Sequence, residues 1–190
     1  MFSQVVTRGS ESDTTVYIEL EAGDGWDEAT DGTPSANGCG DAENFASCNH
    51  AIHIHENFGD VSVDEEHRCD ASSIGGHFNV VDGSIDGTAF TQQQKDACEA
   101  ATTPEQRMIN CETGDLTGKF RPEGFNIGKK GKPAKYFFID IFDRSHGIYL
   151  RGATDIGRKS VAIHAKQMGS ERVACTDIPL PFPWYELSGR

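Results

Sequence analysis

What most constrains this chain is a hydrophobic period of two. From Thr14 to Glu21, Val16, Ile18 and Leu20 fall on one face, with Tyr17, Glu19 and Glu21 on the other. Successive strand side chains point to opposite sides of a sheet, so such alternation marks a half-buried β-strand. The pattern returns in Ala51 to Glu56, where Ile52 and Ile54 alternate with His53 and His55. In Lys135 to Phe142, Phe137, Ile139 and Ile141 share a face. Ile148 to Leu150, Ser160 to Ala165 and Arg172 to Ile178 are shorter strand candidates. Glycine-bearing turns such as Gly128-Lys129-Lys130-Gly131 and Ser145-His146-Gly147 lie between them. Many short strands without alternating helices predict an all-β sandwich or barrel. Thr91 to Ala101, with its Gln, Lys, Glu and Ala content, is the one segment expected to form a short helix.

Three stretches lack this periodicity. Residues 22–49 are acidic, rich in Gly and Asp, and hold Cys39 and Cys48; residues 61–69 form a charged loop; residues 78–114 are longer. Loops of this length in a compact domain are functional or braced by disulfides. The cysteines, Cys39, Cys48, Cys69, Cys98, Cys111 and Cys175, contain no C-x-x-C pair, which argues against a zinc ribbon or a thioredoxin-type motif. An even set reads as disulfides made in an oxidising compartment, with spacing alone leaving the pairing open.

Charge excludes further classes. Seventeen basic against thirty acidic side chains give 17 − 30 = −13, the wrong sign for a general nucleic-acid binder. Mean hydropathy is −0.50, and no apolar run approaches the length of a membrane-spanning helix. Met1-Phe2-Ser3-Gln4 lacks the basic start and apolar run of a signal peptide, as expected of a mature or excised domain. The 190 residues suit one domain, 1–190, large enough to bury a core. Lys119, Arg121, Lys129, Lys130, Lys132 and Lys135 stand against the single acid Glu123 in 119–135. That segment reads as a solvated hairpin, with an anion-docking patch as the alternative.

The sharpest local feature is His53-Ile54-His55. On a strand these two imidazoles project from the same face and can reach one metal while Ile52 and Ile54 pack inward. His77, in Gly75-Gly76-His77-Phe78-Asn79, has glycines that permit close backbone approach, and His164 faces opposite Val161 and Ile163. Imidazoles drawn from several segments around one cavity suit copper or zinc.

Taken in order, these pieces resemble the copper/zinc superoxide dismutase family. The matching residues are Ala51-Ile52-His53-Ile54-His55-Glu56-Asn57-Phe58-Gly59-Asp60, Cys69, Gly76-His77-Phe78-Asn79, Gly114-Asp115-Leu116-Thr117-Gly118, Ser160-Val161-Ala162-Ile163-His164-Ala165 and Gly169-Ser170-Glu171-Arg172-Val173-Ala174-Cys175. The resemblance covers about residues 50–178, after a plausible strand pair, and leaves 179–190 as an extended tail. It implies a Greek-key β-sandwich or barrel with long loops. It also implies four copper ligands, His53, His55, His77 and His164, with His77 in the bridging position and Arg172 as the guanidinium that docks superoxide. Cys69 and Cys175 match the family's disulfide. The remaining four cysteines are then expected to pair locally, Cys39 with Cys48 and Cys98 with Cys111.

The departures matter as much. No histidine lies between Phe78 and Gly114, where the family supplies two more zinc ligands, and only Asp115 keeps a zinc position. With His77 that makes too few ligands for a closed zinc site; His67, in the preceding loop, reads as an exposed residue. The link from His164 to Arg172 is too short for the family's electrostatic loop. Both losses resemble the copper-only branch, known among secreted fungal enzymes and copper-only repeat proteins, and Glu112-Thr113-Gly114-Asp115 reproduces that branch's acidic spacing. Glu112 is expected to accept the outer N–H of His77 in place of zinc, with Asp115 a structural acceptor; the alternative is that both carboxylates only cap turns.

The resemblance therefore implies a secreted, extracellular enzyme that converts superoxide to O₂ and H₂O₂ using Cu(II)/Cu(I), with Arg172 and His77 in catalytic roles and no zinc. In the repeat proteins, neighbouring domains of a longer chain would be the partners. A non-catalytic copper-binding or structural module is the competing reading, and a cupin-like metal oxygenase, which also uses H-x-H on a β-barrel, is a third.

Overall fold

The computed structural model describes residues 2–6, 12–21, 50–59, 62–64, 67–81, 84–85, 91–127, 131–140, 156–164 and 172–178. Its elements, in chain order, are β1 (Phe2–Val6), β2 (Ser12–Leu20), β3 (Ile52–His55), α1 (Ala71–Ile74), β4 (Val80–Val81), β5 (Ser84–Ile85), α2 (Gln92–Glu99), α3 (Pro104–Asn110), α4 (Leu116–Phe120), β6 (Ala134–Asp140), β7 (Ser160–His164) and β8 (Arg172–Asp177). Two three-stranded antiparallel sheets, ordered β1-β2-β6 and β3-β7-β8, and the small pair β4-β5 carry the strands.

The alternation seen in the sequence decides what is buried. Val16 and Ile18 of β2 meet Ile52 and Ile54 of β3 in one core, with Phe78, Val80, Leu116, Phe125, Ile156 and Ile178. Both sheets therefore face a common apolar interior, the arrangement of a sandwich. On β6 the face that Phe137 and Ile139 share is the exposed one. Phe137 and Ile139 are 65% and 50% exposed, while Tyr136 and Phe138 pack against the core and stack on each other. Tyr136 also donates its hydroxyl proton to the Asn126 carbonyl, which gives the polar tip of that ring a partner at the core margin.

Among the described residues there are four short helices, three more than the sequence predicted. α2 matches the expected segment and begins on Thr91, which forms a capping box with Gln94. α3 has the same device in Thr103 and Gln106, with Pro104 in its first turn. α4 is N-capped by Asp115, whose carboxylate accepts the Gly118 N–H at 2.7 Å. α4 also carries Lys119, which is only 1% exposed, so the expected basic hairpin does not form as one solvated unit. Within that segment Arg121 pairs with Glu123 and Lys135 with Glu19. Lys129, Lys130, the proposed Cys39–Cys48 bridge, the strand candidate 148–150 and the tail 179–190 lie outside the described residues.

One edge of β3 pairs with β7. The other runs along loops and α4, and its backbone groups are all answered there. His50 exchanges both bonds with Phe125, and Ile52 is met by the Thr117 hydroxyl. Ile54 enters a closed ring of three backbone bonds: Ile54 N–H to Gly114 O, Gly114 N–H to Phe78 O, and Phe78 N–H to Ile54 O, each 2.8 Å. No side chain fits at the centre of that ring, because a Cβ on Gly114 would stand 2.6 Å from the Ile54 carbonyl and 2.8 Å from that of Phe78. Gly114→Ala is therefore expected to cost about 2 kcal/mol through forced backbone displacement. Urea denaturation checks this as a lower midpoint at an unchanged m-value.

Candidate metal centre

The ring joins three segments that each carry polar side chains beside it. Ile54 lies between His53 and His55, Phe78 follows His77, and Gly114 lies between Glu112 and Asp115. β7 adds His164, whose N–H donates to the Ala51 carbonyl at 2.8 Å. One ring nitrogen from each of His53, His55, His77 and His164 lies within 4.8 Å of those from the other three. The four histidines singled out in the sequence are thus brought together. His67, by contrast, is exposed and bonds Asp70 at 3.0 Å.

The outward nitrogens have protein partners, and this orients the inward ones. His53 Nε2 lies 3.3 Å from Asp115 Oδ1, His55 Nδ1 donates to the Gly75 carbonyl at 3.2 Å, and His77 Nδ1 donates to Glu112 Oε2 at 2.7 Å. In neutral imidazoles those assignments leave lone pairs on His53 Nδ1, His55 Nε2 and His77 Nε2. His53 Nδ1 lies 3.1 Å from His164 Nε2, and His55 Nε2 lies 3.4 Å from that same atom. A proton on His164 Nε2 can bridge one of these contacts as a hydrogen bond, whereas a cation in its place can accept an electron pair from every ring. The donor set therefore fits a metal ion, and an all-imidazole set suits copper in both its oxidation states as well as zinc.

Protonation agrees with a ligand role. Burial holds the His53 imidazole below its ordinary value, against the opposing pull of Asp115. His55 is pushed down to about 3, first by burial and then by the charges of His77 and Arg172. Metal-binding imidazoles must be neutral, and burial favours that form in both. Asp115 is held below the usual carboxylate range. Burial alone would raise it, but the hydrogen bond from His53 and that from the Gly118 N–H outweigh that. A Cβ on Gly118 would strike the Asp115 carboxylate, so this glycine lets one side chain both cap α4 and hold His53. Asp115 is therefore cap and imidazole acceptor at once, whereas Glu112 holds His77.

Arg172 reaches the cluster because of an irregularity in the sheet. Ile163 pairs with Ala174, but His164 pairs with Arg172, a bulge that brings the arginine one position closer than regular pairing would. Its Nη2 donates to the Gly75 carbonyl at 2.8 Å and lies 3.2 Å from His55 Nδ1, while Nη1 reaches the Cys69 carbonyl at 3.4 Å. Burial lowers the guanidinium's pKa, with Asp70 pulling the other way. The Cys69–Cys175 disulfide fastens this loop to β8, and Cys98–Cys111 fastens α2 to the residue before Glu112. A second potential ligand group, Cys98, Cys111 and Asp115, offers no thiolate because its cysteines form that bridge.

Sequence reasoning missed His50 and Lys159, and read Gly75 only as a glycine that permits close backbone approach. Buried His50 donates Nδ1–H to the His164 carbonyl at 2.9 Å, and Lys159 Nζ donates to the Glu56 carbonyl at 2.7 Å. No periodicity marks them. For Gly75 the signal was the glycine pair ahead of His77.

No protein-family description matches this chain, and no curated protein does. Among solved structures it is similar to superoxide dismutase 5 of Candida albicans in its Cu(II) form, at 21% identity over 95% of this chain and 80% of that one, with a TM-score of 0.44. A glutamate-to-glutamine variant of that protein aligns at 20% identity over 96% and 81%, with a TM-score of 0.45. An aspartate-to-asparagine variant aligns at 21% identity over 96% and 82%, also with a TM-score of 0.45. At this degree of likeness no chemistry carries over to this chain.

Replacing a partner that orients a ligand typically costs about 10–100-fold in metal affinity. Glu112→Ala is expected to weaken Cu(II) binding by about 10-fold, measured by competition with a chelator of known affinity.

Proposed function

We propose that this protein is a copper-dependent superoxide dismutase of one domain, 1–190, acting outside the cell. The observation that supports it most is the convergence of four imidazole nitrogens whose outer nitrogens on His53, His55 and His77 are held by Asp115, the Gly75 carbonyl and Glu112. His53, His55, His77 and His164 would hold the copper. Bound there, copper supplies one-electron chemistry between Cu(II) and Cu(I).

The remaining roles belong to the chain. Two superoxide ions and two protons give O₂ and H₂O₂, so the site must attract an anion and deliver protons. Arg172 places a fixed positive charge beside His55, which favours a small anion even though the whole chain carries −13. His77 is the proton carrier. Its side chain is 33% exposed, so water can reach the ring, while Glu112 holds Nδ1–H in place. Fixing that outer nitrogen with a carboxylate makes a second metal unnecessary for orienting the ring. The Cys69–Cys175 and Cys98–Cys111 bridges are compatible with an oxidising, extracellular setting.

Elemental analysis of the purified protein is expected to find copper and little zinc, and stopped-flow spectroscopy is expected to show superoxide decay well above buffer. Absence of copper, or copper without activity, would overturn the enzymatic reading in favour of a binding module. Arg172→Ala should slow the decay by about 10-fold and flatten its dependence on ionic strength. A rate indifferent to that change would remove the docking role.

A further inference from the structure

We propose that Glu56 is a positioning residue for the metal centre: its carboxylate clamps the Gly75–Gly76 turn so that the Gly75 carbonyl selects the tautomer of His55 and the pose of Arg172. This rests on the copper-ligand reading of His55, and it deepens it.

The clamp is reciprocal. Glu56 N–H donates to the Gly76 carbonyl at 3.1 Å, and Gly76 N–H donates to Glu56 Oε2 at 3.2 Å. Asn57 N–H adds a bond to the Ile74 carbonyl at 3.0 Å, and Lys159 Nζ anchors the Glu56 carbonyl from the other side. The turn lies hard against these side chains. Gly75 has φ +77°, and a Cβ there would stand 2.7 Å from the Asn57 amide nitrogen and 3.0 Å from Glu56 Oε2. Only glycine accepts both the dihedral and the proximity.

What the turn delivers is one carbonyl oxygen to two donors. Gly75 O takes the His55 Nδ1–H at 3.2 Å and Arg172 Nη2–H at 2.8 Å, as its two lone pairs allow. Arg172 Nη2 also lies 3.2 Å from His55 Nδ1. A guanidinium is donor only, so it can bond that nitrogen only if Nδ1 carries the lone pair and the proton has moved to Nε2. Nε2 is the atom that faces His164 Nε2, and a proton there removes a metal-binding lone pair. The Gly75 carbonyl therefore keeps the proton on Nδ1 and draws Arg172 away from the ring. Withdrawing it would let Arg172 bind Nδ1 and reverse the tautomer.

Nitrogen-15 NMR of ring-labelled histidines in the metal-free protein, at a pH where they are neutral, reads the tautomer without any need for activity. The native protein is expected to show His55 protonated on Nδ1. Glu56→Ala should shift a large fraction of the proton to Nε2, with Cu(II) affinity about 10-fold weaker and azide binding to the copper form also weakened. Glu56→Gln, which keeps an oxygen acceptor for Gly76 N–H, should restore the native tautomer. A native His55 already protonated on Nε2, or a Glu56→Ala protein that keeps the native ring signals, would overturn the proposal. So would a Glu56→Gln protein as altered as Glu56→Ala. If Glu56→Ala does not fold, the native and Glu56→Gln spectra decide. Failure of every form to bind copper, with the tautomer shift still present, would sink the copper reading alone.

Discussion

Three backbone hydrogen bonds, closed among Ile54, Phe78 and Gly114, hold the centre of this molecule together. Each of those residues belongs to a different segment, and each has a histidine or carboxylate immediately beside it. Backbone groups buried away from water must find partners, so the ring is as obligatory as a sheet ladder. Its rigidity passes directly to His53, His55, His77, Glu112 and Asp115. The apolar side chains of Ile54 and Phe78 are fully buried, which places the polar cluster directly on the core.

That location resolves an apparent conflict. Burying several imidazoles together disfavours their charged forms, which is costly for a histidine that must ionise but helpful for one that must donate a lone pair. Asp115 and Glu112 are the carboxylates of the cluster, one at the start of α4 and one just after Cys111, each touching a ring from behind. Arg172 balances them from the opposite strand. The cluster thus sets imidazole donors between carboxylates on one side and a guanidinium on the other.

Part of this was legible beforehand. Alternation identified β2, β3, β7 and β8 because strands with one buried face leave a period-two record. Motif order placed the four histidines, Glu112 and Asp115 together, since a resemblance over many segments carries long-range information that periodicity lacks. The helices α1, α3 and α4 were not read, although Thr103-Pro104-Glu105-Gln106 bears the N-cap and proline signals of a helix start. At seven residues or fewer, such helices have too few turns for a hydrophobic period to emerge. On β6 alternation marked the strand but not its buried side, because Phe and Ile alternate there with Tyr and Phe and both faces look apolar.

The amino-acid order by itself determined which residues could become strands and which carried imidazole and carboxylate. Tertiary structure decided which ring nitrogen faces inward, because that depends on acceptors such as the Gly75 carbonyl, tens of residues away along the chain. It also decided that Arg172 sits opposite His164, through a bulge that no local pattern announces. Both are matters of register and tautomer, set by contacts between segments that close only once the core has packed.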